Sequence, residues 1–475
     1  MNGKHPHTNH PQYSPTTPTI FVIFGITGDL AQRKLLPALL ALYSKKLLPK
    51  RFAIVGFGRR FFTRDEFREF VRNEINIKHG QFKEEDVKHF LDHIIYEQGL
   101  FDSLEAYKLL AEKLTLIDKN FGQCSNKLFH LSVPPNLYEM ILQNLSASGL
   151  TIPCGGNLGW TRVLVEKPFG SDSETAKKLD SLLADLFYEE QIFRIDHYLA
   201  KETMQNILAF RFANSLFEPL WSGRHISRVE IKLHEKIDVG DRGAFYDSIG
   251  ALKDVGQNHI LQMLAIIAME QPECLDSKSI RNERAKVLEK LSTINSKNIS
   301  QYAERGQYKG YREHTGVHRG STTETFFRII AHINNSRWKN VPFILESGKS
   351  LSESKVLIKV WFRDHEDDGH SNILTFNIQP QESIELKMWV KTPGFEMILE
   401  PKTMKFNYSD FGPKNGTDAY EKVLFDAIIG DQTLFTSTEE VLYAWKFVTP
   451  IITAWEKVPL VIYEKGSICP KSNIV

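Results

Sequence analysis

The stretch that decides the fold is TIFVIFG (Thr19–Gly25), followed by ITGDL (Ile26–Leu30), a run of helical spacing, and FAIVGFG (Phe52–Gly58). Both runs are short, apolar and rich in β-branched and aromatic residues, so each reads as a buried strand. Between them, from about Asp29 to Lys45, Leu30, Leu35, Leu39 and Leu42 share one side of a predicted helix. Strand, helix and strand within about 40 residues make a βαβ unit and imply a parallel sheet.

Working outward, the charged amphipathic stretch from Thr63 to about Leu116 predicts helices with one strand near Ile94–Tyr96. KLFHLSVPP (Lys127–Pro135) reads as strand and turn, with a helix from about Tyr138. TRVLVEKPFG (Thr161–Gly170) repeats strand, turn and helix, and the alternation continues through Leu186. The expectation is a Rossmann-like, doubly wound α/β domain over residues 18–192. Beyond a boundary near Phe193 the pattern changes. ISRVEIKLHE (Ile226–Glu235), VLIKVWFRD (Val356–Asp364), NILTFNIQ (Asn372–Gln379) and IELKMWVKT (Ile384–Thr392) alternate like strands with one wet face. Helical stretches lie between them, notably Gly250–Glu270. Residues 193–475 are therefore expected to form an α+β domain with a large antiparallel sheet.

The 475 residues carry a formal charge of +1, with 42% hydrophobic and 25% charged residues. That balance gives no bulk electrostatic reason to expect nucleic acid or membrane as a partner. No run reaches the roughly 18 apolar residues of a membrane-spanning helix. Residues 1–17 lack the apolar core of a signal peptide and read as a disordered polar tail. Cys124, Cys154, Cys274 and Cys469 are scattered, with no CxxC and no clustered histidine. They read as ordinary thiols in a reducing compartment, with no metal site.

Three junctions carry candidate chemistry. At the first, Gly25-Ile26-Thr27-Gly28-Asp29-Leu30 supplies a tight glycine turn before a helix N-terminus. Such a turn lets backbone N–H groups approach a pyrophosphate; the spacing is GxxG rather than GxGxxG, and a turn serving only packing is the alternative. At the second, the strand ends in Gly58-Arg59-Arg60, where an NAD site would place an acidic residue. An arginine fork there favours a 2′-phosphate and so NADP. At the third, Lys167-Pro168 closes a strand on the edge where ligands bind. Lys167 either meets a substrate oxygen, meets the nicotinamide end, or is a solvated lysine.

RIDHYLAKE (Arg194–Glu202) packs Asp196, His197, Tyr198 and Lys201 together. His197, Tyr198 and Lys201 can all donate to a phosphate, and a helix would put His197 and Lys201 on one face. In KDVGQNHILQMLAII (Lys253–Ile267), Asp254 and His259 interrupt a core-like helix. His259 is either a satisfied core histidine or, if it faces a cleft, a general base.

Taken together, GITGDLAQRKLLPAL, VGFGRR, SVPPNLYE, EKPFG, RIDHYLAKE, KDVGQNHILQM, RGSTTETF, RWKNVPFILESGKSL and IQPQESIELKM resemble the glucose-6-phosphate dehydrogenase family, in family order from about Thr19 to Pro450. The resemblance implies oxidation of glucose 6-phosphate at C1 by NADP in the oxidative pentose phosphate pathway. It implies a cytoplasmic homo-oligomer, dimer or tetramer, and no metal. By resemblance, His259 is the base and Asp196 its carboxylate partner. His197, Tyr198 and Lys201 grip the 6-phosphate, and Glu235, Asp254, Lys349 and Gln379 bind sugar hydroxyls or phosphate. Lys167 bridges substrate and cofactor. Gly25, Thr27, Gly28, Asp29 and Leu30 form the phosphate turn, Arg59 takes the 2′-phosphate, and Tyr138 contacts the nucleotide.

The chain departs from the family pattern in three places. Ala200 stands where glycine is usual. Ser354 stands where many members carry a basic substrate-binding residue, with Lys355 beside it. Glu346, Asn377 and Glu385 occupy positions that hold a second, structural nucleotide in some members, and acidic residues there would repel a phosphate, so no structural nucleotide is expected. Glucose–fructose oxidoreductases share a Glu-Lys-Pro turn but lack a segment like RIDHYLAKE. A catalytically silent scaffold would be expected to lose His259 or Asp196, and both are present. For the cofactor, Arg59→Ala is expected to raise KM for NADP far more than KM for NAD; equal effects would mean that Arg59 does not touch the 2′-phosphate.

Overall fold

The computed structural model describes residues 17–76, 82–154, 159–364, 369–411, 418–470 and 474. The tail read at 1–17 lies, apart from residue 17, outside them. The first strands are β1 (Thr19–Phe24), β2 (Phe52–Gly58), β3 (Ile94–Gln98), β4 (Asn126–Leu131), β5 (Thr161–Val165) and β6 (Ile192–Ile195). Then come β7 (Ile226–His234), β8 (Ala303–Tyr308), β9 (Phe326–Ala331), β10 (Phe343–Gly348), β11 (Lys355–Phe362), β12 (Ile373–Gln379), β13 (Ser383–Lys391) and β14 (Leu399–Asn407). The last are β15 (Phe435–Thr436) and β16 (Leu460–Tyr463).

The first sheet runs β3-β2-β1-β4-β5-β6-β15. Its first six strands are parallel, and the order 3-2-1-4-5-6 is that of a doubly wound dinucleotide fold. Every residue of β1 and β2 is buried, as unbroken apolar runs require in a sheet covered on both faces. The strand order reverses between β1 and β4, and ligands of such sheets bind at the carboxyl ends there.

The second sheet runs β14-β13-β12-β11-β7-β10-β9-β8-β16. It is antiparallel except for the pairs β7–β10 and β8–β16. Val229, Ile231 and Leu233 of β7 are buried, and a π-helical segment, Leu252–Ile260, packs on β7 and β10 before continuing as the α-helix Leu261–Ala268. The sheet also engages the three positions read as unsuited to a structural nucleotide. Glu346 is fully buried and accepts from His234 Nε2 at 2.6 Å and Arg328 Nε at 2.7 Å. Burial pushes its carboxyl up, but these partners outweigh it and hold the pKa down to about 2. Asn377 donates to Ser383 Oγ at 2.9 Å, and Glu385 pairs with Lys405 at 3.0 Å.

Two sequence-based expectations need correction. The boundary near Phe193 cuts through β6, which pairs with β5 in the first sheet. The chain leaves that sheet after Ile195 and returns to it at β15, antiparallel to β6. Nor are the cysteines all free: Cys124 and Cys154 form a disulfide, while Cys274 and Cys469 are unpaired. Cys124 precedes β4 and Cys154 precedes β5. These strands are parallel neighbours, so the segments entering them meet at the amino edge, which spacing alone does not reveal.

The C-terminal return is clamped by buried charge. Arg284 and Glu440, both inaccessible, pair at 2.9 Å, and Arg284 also donates to the carbonyls of Thr433 and Phe435 at 2.9 and 2.7 Å. Removing one partner leaves the other charge buried alone, at a cost of about 3–5 kcal/mol. Arg284→Met should lose that much stability in chemical denaturation, and Arg284→Met/Glu440→Leu should recover part of it. A loss below about 1 kcal/mol in the single variant, the range of an exposed pair, would contradict the clamp.

Candidate active site

RIDHYLAKE is not one helix. Arg194 and Ile195 finish β6, residues 196–201 form a tight turn, and the helix Glu202–Phe212 begins after it. Leu199 N–H donates to Asp196 O and Lys201 N–H to Tyr198 O, both at 3.1 Å. The condition for His197 and Lys201 to share a helical face is therefore not met; they stand on a turn at the carboxyl edge, the edge that binds ligands in this fold. Arg194 anchors the turn's root through ion pairs to Asp180 at 2.8 Å and Glu189 at 3.0 Å.

His259 comes to the same place from the second part of the chain. Its helix starts where Leu252 N–H donates to Glu324 Oε1 at 3.0 Å, and the π-helical turns are of a kind frequent at functional sites. His259 and Asp196 are both nearly inaccessible, and Nδ1 lies 2.5 Å from Asp196 Oδ1. On the other side of the ring, Lys167 Nζ lies 3.0 Å from His259 Nε2 and donates to Asp254 O at 2.9 Å. An ammonium only donates, so Nε2 is the bare nitrogen and Nδ1–H points at the carboxylate. Burial lowers the His259 pKa, Asp196 opposes it, and Lys167 adds to the lowering. For Asp196, burial raises the pKa, but His259, through its field and its hydrogen bond, and the Lys167 ammonium outweigh it and bring it down to about 2. The pair rests as neutral imidazole and carboxylate, the state of a general base with its orienting partner.

A cleft of about 680 Å³ opens in front of His259. It is lined by Lys167, His197, Tyr198, Glu235, Asp254 and Lys349 among the residues named from sequence. Lys349 pairs with Glu235 at 2.5 Å and Lys167 with Asp254 at 3.6 Å. The Tyr198 ring lies 4.2 Å from the His259 ring, centroid to centroid, and His197 lies 4.8 Å away. Burial and the neighbouring His259 push the His197 pKa well down, so it offers a neutral ring. Lys201 and Gln379 neighbour Tyr198 and are not among the residues that line the cleft. Lys201 Nζ is 5.7 Å from the Tyr198 ring, and Tyr198 Oη donates to Gln379 Oε1 at 3.4 Å.

The nucleotide candidates occupy the same carboxyl edge. Gly25 has φ +75°, and a Cβ there would sit 2.3 Å from Ser132 O, so glycine is required for this turn to meet the turn after β4. Gly28 N–H closes the turn onto Gly25 O at 2.8 Å. Asp29 pairs with Arg33, and Leu30 packs against the core. Arg59 and Arg60 follow β2, exposed and without ion-pair partners among the described residues. Their carbonyls are held by Gln98 Nε2 and Tyr96 Oη. Exposed guanidinium groups beside a glycine turn are a donor set that fits a phosphorylated dinucleotide. Tyr138 is 1% exposed and donates to Glu166 O at 3.0 Å, which supports the Lys167 turn, and it lines a cavity together with Pro135, Pro168 and Gly170.

Sequence reading missed several supports. Trp445 lines the cleft and donates through Nε1 to Phe169 O at 2.8 Å, bracing the EKPFG turn from 276 residues away, a partnership with no local signal. Asn258, adjacent to His259, accepts from His259 N–H at 2.7 Å and donates to Asp254 O at 2.9 Å. Arg242 and Lys253 also line the cleft.

Two family models cover the chain: "Glucose-6-phosphate dehydrogenase, NAD binding domain" matches residues 22–206 and "Glucose-6-phosphate dehydrogenase, C-terminal domain" matches residues 208–474. The chain is 38% identical over 480 residues to a glucose-6-phosphate 1-dehydrogenase of Chlamydia muridarum, covering 96% of this chain and 94% of that one. Among solved structures, a glucose-6-phosphate dehydrogenase in complex with its substrate glucose-6-phosphate superposes with a TM-score of 0.89 at 33% identity, covering 96% of both chains. The glucose-6-phosphate 1-dehydrogenase of Mycobacterium avium gives 0.82 at 29% identity over 95% of both. The chain belongs to the glucose-6-phosphate dehydrogenase family.

Proposed function

We propose that this protein oxidises D-glucose 6-phosphate at C1 to 6-phospho-D-glucono-1,5-lactone, with NADP as the hydride acceptor. The observation that carries the reading is the Asp196–His259–Lys167 line, which presents a bare imidazole nitrogen to a cleft. A cytoplasmic location and a homo-oligomeric state belong to the same proposal and rest on the resemblance.

His259 Nε2 takes the proton of the C1 hydroxyl as C1 gives up its hydride. Asp196 keeps the ring in the right tautomer and stabilises its cationic form. In the resting site Lys167 occupies Nε2, so the substrate hydroxyl must take the lysine's place. Lys167, held also by Asp254 O, is then free to donate to an oxygen of substrate or cofactor. Tyr198 and His197 flank the sugar phosphate, with Lys201 adding charge. The Glu235–Lys349 pair and Asp254 offer acceptors and a donor for sugar hydroxyls, and Gln379 orients Tyr198. The turn Gly25–Leu30 receives the diphosphate and Arg59 the 2′-phosphate. The nicotinamide, when bound, supplies the hydride acceptor. Tyr138 supports the Lys167 turn and, by resemblance, contacts the nucleotide.

Absorbance of NADPH with glucose 6-phosphate tests the reaction. Wild type should turn over and His259→Asn should lose roughly 10²–10⁴-fold in kcat. No turnover by wild type with either nucleotide would sink the function, and full activity in the variant would sink the base.

The pH profile tests the dyad. Because the His259 pKa is lowered, the base stays neutral to below pH 6.5, and the acid limb of kcat/KM should fall below that value. Asp196→Asn removes the charge that opposes the lowering. Its acid limb should move further down while kcat drops by roughly 10²–10⁴-fold. A limb that moves up, or an unchanged kcat, would contradict the pairing.

A further inference from the structure

The cleft holds more positive charge than its own carboxylates neutralise. Lys167, Arg242, Lys253 and Lys349 line it, against the carboxylates Glu235 and Asp254. Lys349 is committed to Glu235, and Lys167 to His259 and Asp254. Arg242 and Lys253 have no ion-pair partner among the described residues. The excess of two charges, carried by these two side chains, complements a phosphate dianion.

Other basic side chains near the cleft are less available. Lys355 pairs with Glu353 at 3.0 Å and does not line the cleft, while Ser354 Oγ accepts from Lys236 N–H at 2.9 Å. Lys201 also stands outside the lining.

Arg242 is delivered by a fixed segment. Gly243 follows it, and a Cβ there would lie 2.5 Å from Thr315 O, so the backbone is pressed onto the loop beneath. Four residues further on, Asp247 accepts from Tyr311 Oη at 2.9 Å, from Ser321 Oγ, and from His318 N–H at 3.1 Å. Its carbonyl accepts from Thr323 Oγ1 at 2.7 Å. The main chain is anchored while the guanidinium is exposed at the cleft. A planar fork in that setting is suited to two oxygens of one phosphate.

We propose that Arg242, seconded by Lys253, is a phosphate-recognising residue of this cleft, in addition to those named above. The inference rests on the proposed reaction, in which sugar and dinucleotide both bring phosphate oxygens, and kinetics separate the two sources. Arg242→Gln should raise KM for one phosphate-bearing reactant by about tenfold or more, the effect of losing a charged hydrogen bond, with a smaller change in kcat. Arg242→Lys should restore part of the loss, and Arg242→Gln/Lys253→Gln should exceed the single variant. A rise in KM for glucose 6-phosphate assigns the sugar phosphate; a rise in KM for NADP assigns the dinucleotide. Lys355→Gln, which removes a charge outside the cleft, should leave both values unchanged. Both KM values within about twofold of wild type in the double variant would overturn the proposal. Calorimetric titration with inorganic phosphate tests it apart from turnover, so that failure of the reaction assignment is seen separately. Weaker binding by the double variant supports it, and equal binding overturns it.

Discussion

The hydrogen bond between Asp196 and His259 joins two parts of the chain with different architecture. Asp196 stands just past the last parallel strand of the first sheet, and His259 on a helix packed against the second. At 2.5 Å, with both groups buried, the bond tolerates little error in how these parts meet. Burial raises the Asp196 pKa; the hydrogen bond from His259 and the Lys167 ammonium outweigh it and keep Asp196 a carboxylate. The carboxylate in turn fixes which ring nitrogen is bare.

Much of the rest of the molecule serves that registration. β15 returns from the C-terminal region to pair with Arg194 and Ile195, the residues just before Asp196. Arg281 joins Glu189 to Gln432, and Gln432 donates to the carbonyls of Glu189 and Ile192 at the start of β6. Trp445 holds the turn that presents Lys167. These contacts are costly to break, because each satisfies a buried polar group that has no water to replace its partner. The turn at Asp196, the turn at Lys167 and the helix that carries His259 are thus braced by one C-terminal scaffold.

The first βαβ unit, the strands with one wet face and the chemistry-bearing segments were legible in the sequence, because apolar runs and alternation report directly on burial. What was not legible depended on contacts distant in sequence. The local conformation of RIDHYLAKE was left open by its donor spacing; β6 carries its first two residues into the sheet, and a turn follows at Asp196. Cys124 and Cys154 carry no local signal, since only the neighbouring of β4 and β5 brings them together. The hydrogen bond of Tyr138 to Glu166 O, which supports the Lys167 turn, likewise has no local signal. Arg242 belongs to a short irregular segment whose position is set by Asp247 and the loop around it, with no periodicity to mark it.

The most direct test of the central claim is the protonation state of His259 itself. Nitrogen-15 NMR of the histidine-labelled protein, with His259→Asn to assign the signal, reads the two ring nitrogens separately. The account predicts that at neutral pH Nδ1 carries the proton and Nε2 is bare, with protonation of Nε2 only below pH 6.5. A proton on Nε2, or an imidazolium at neutral pH, would contradict it.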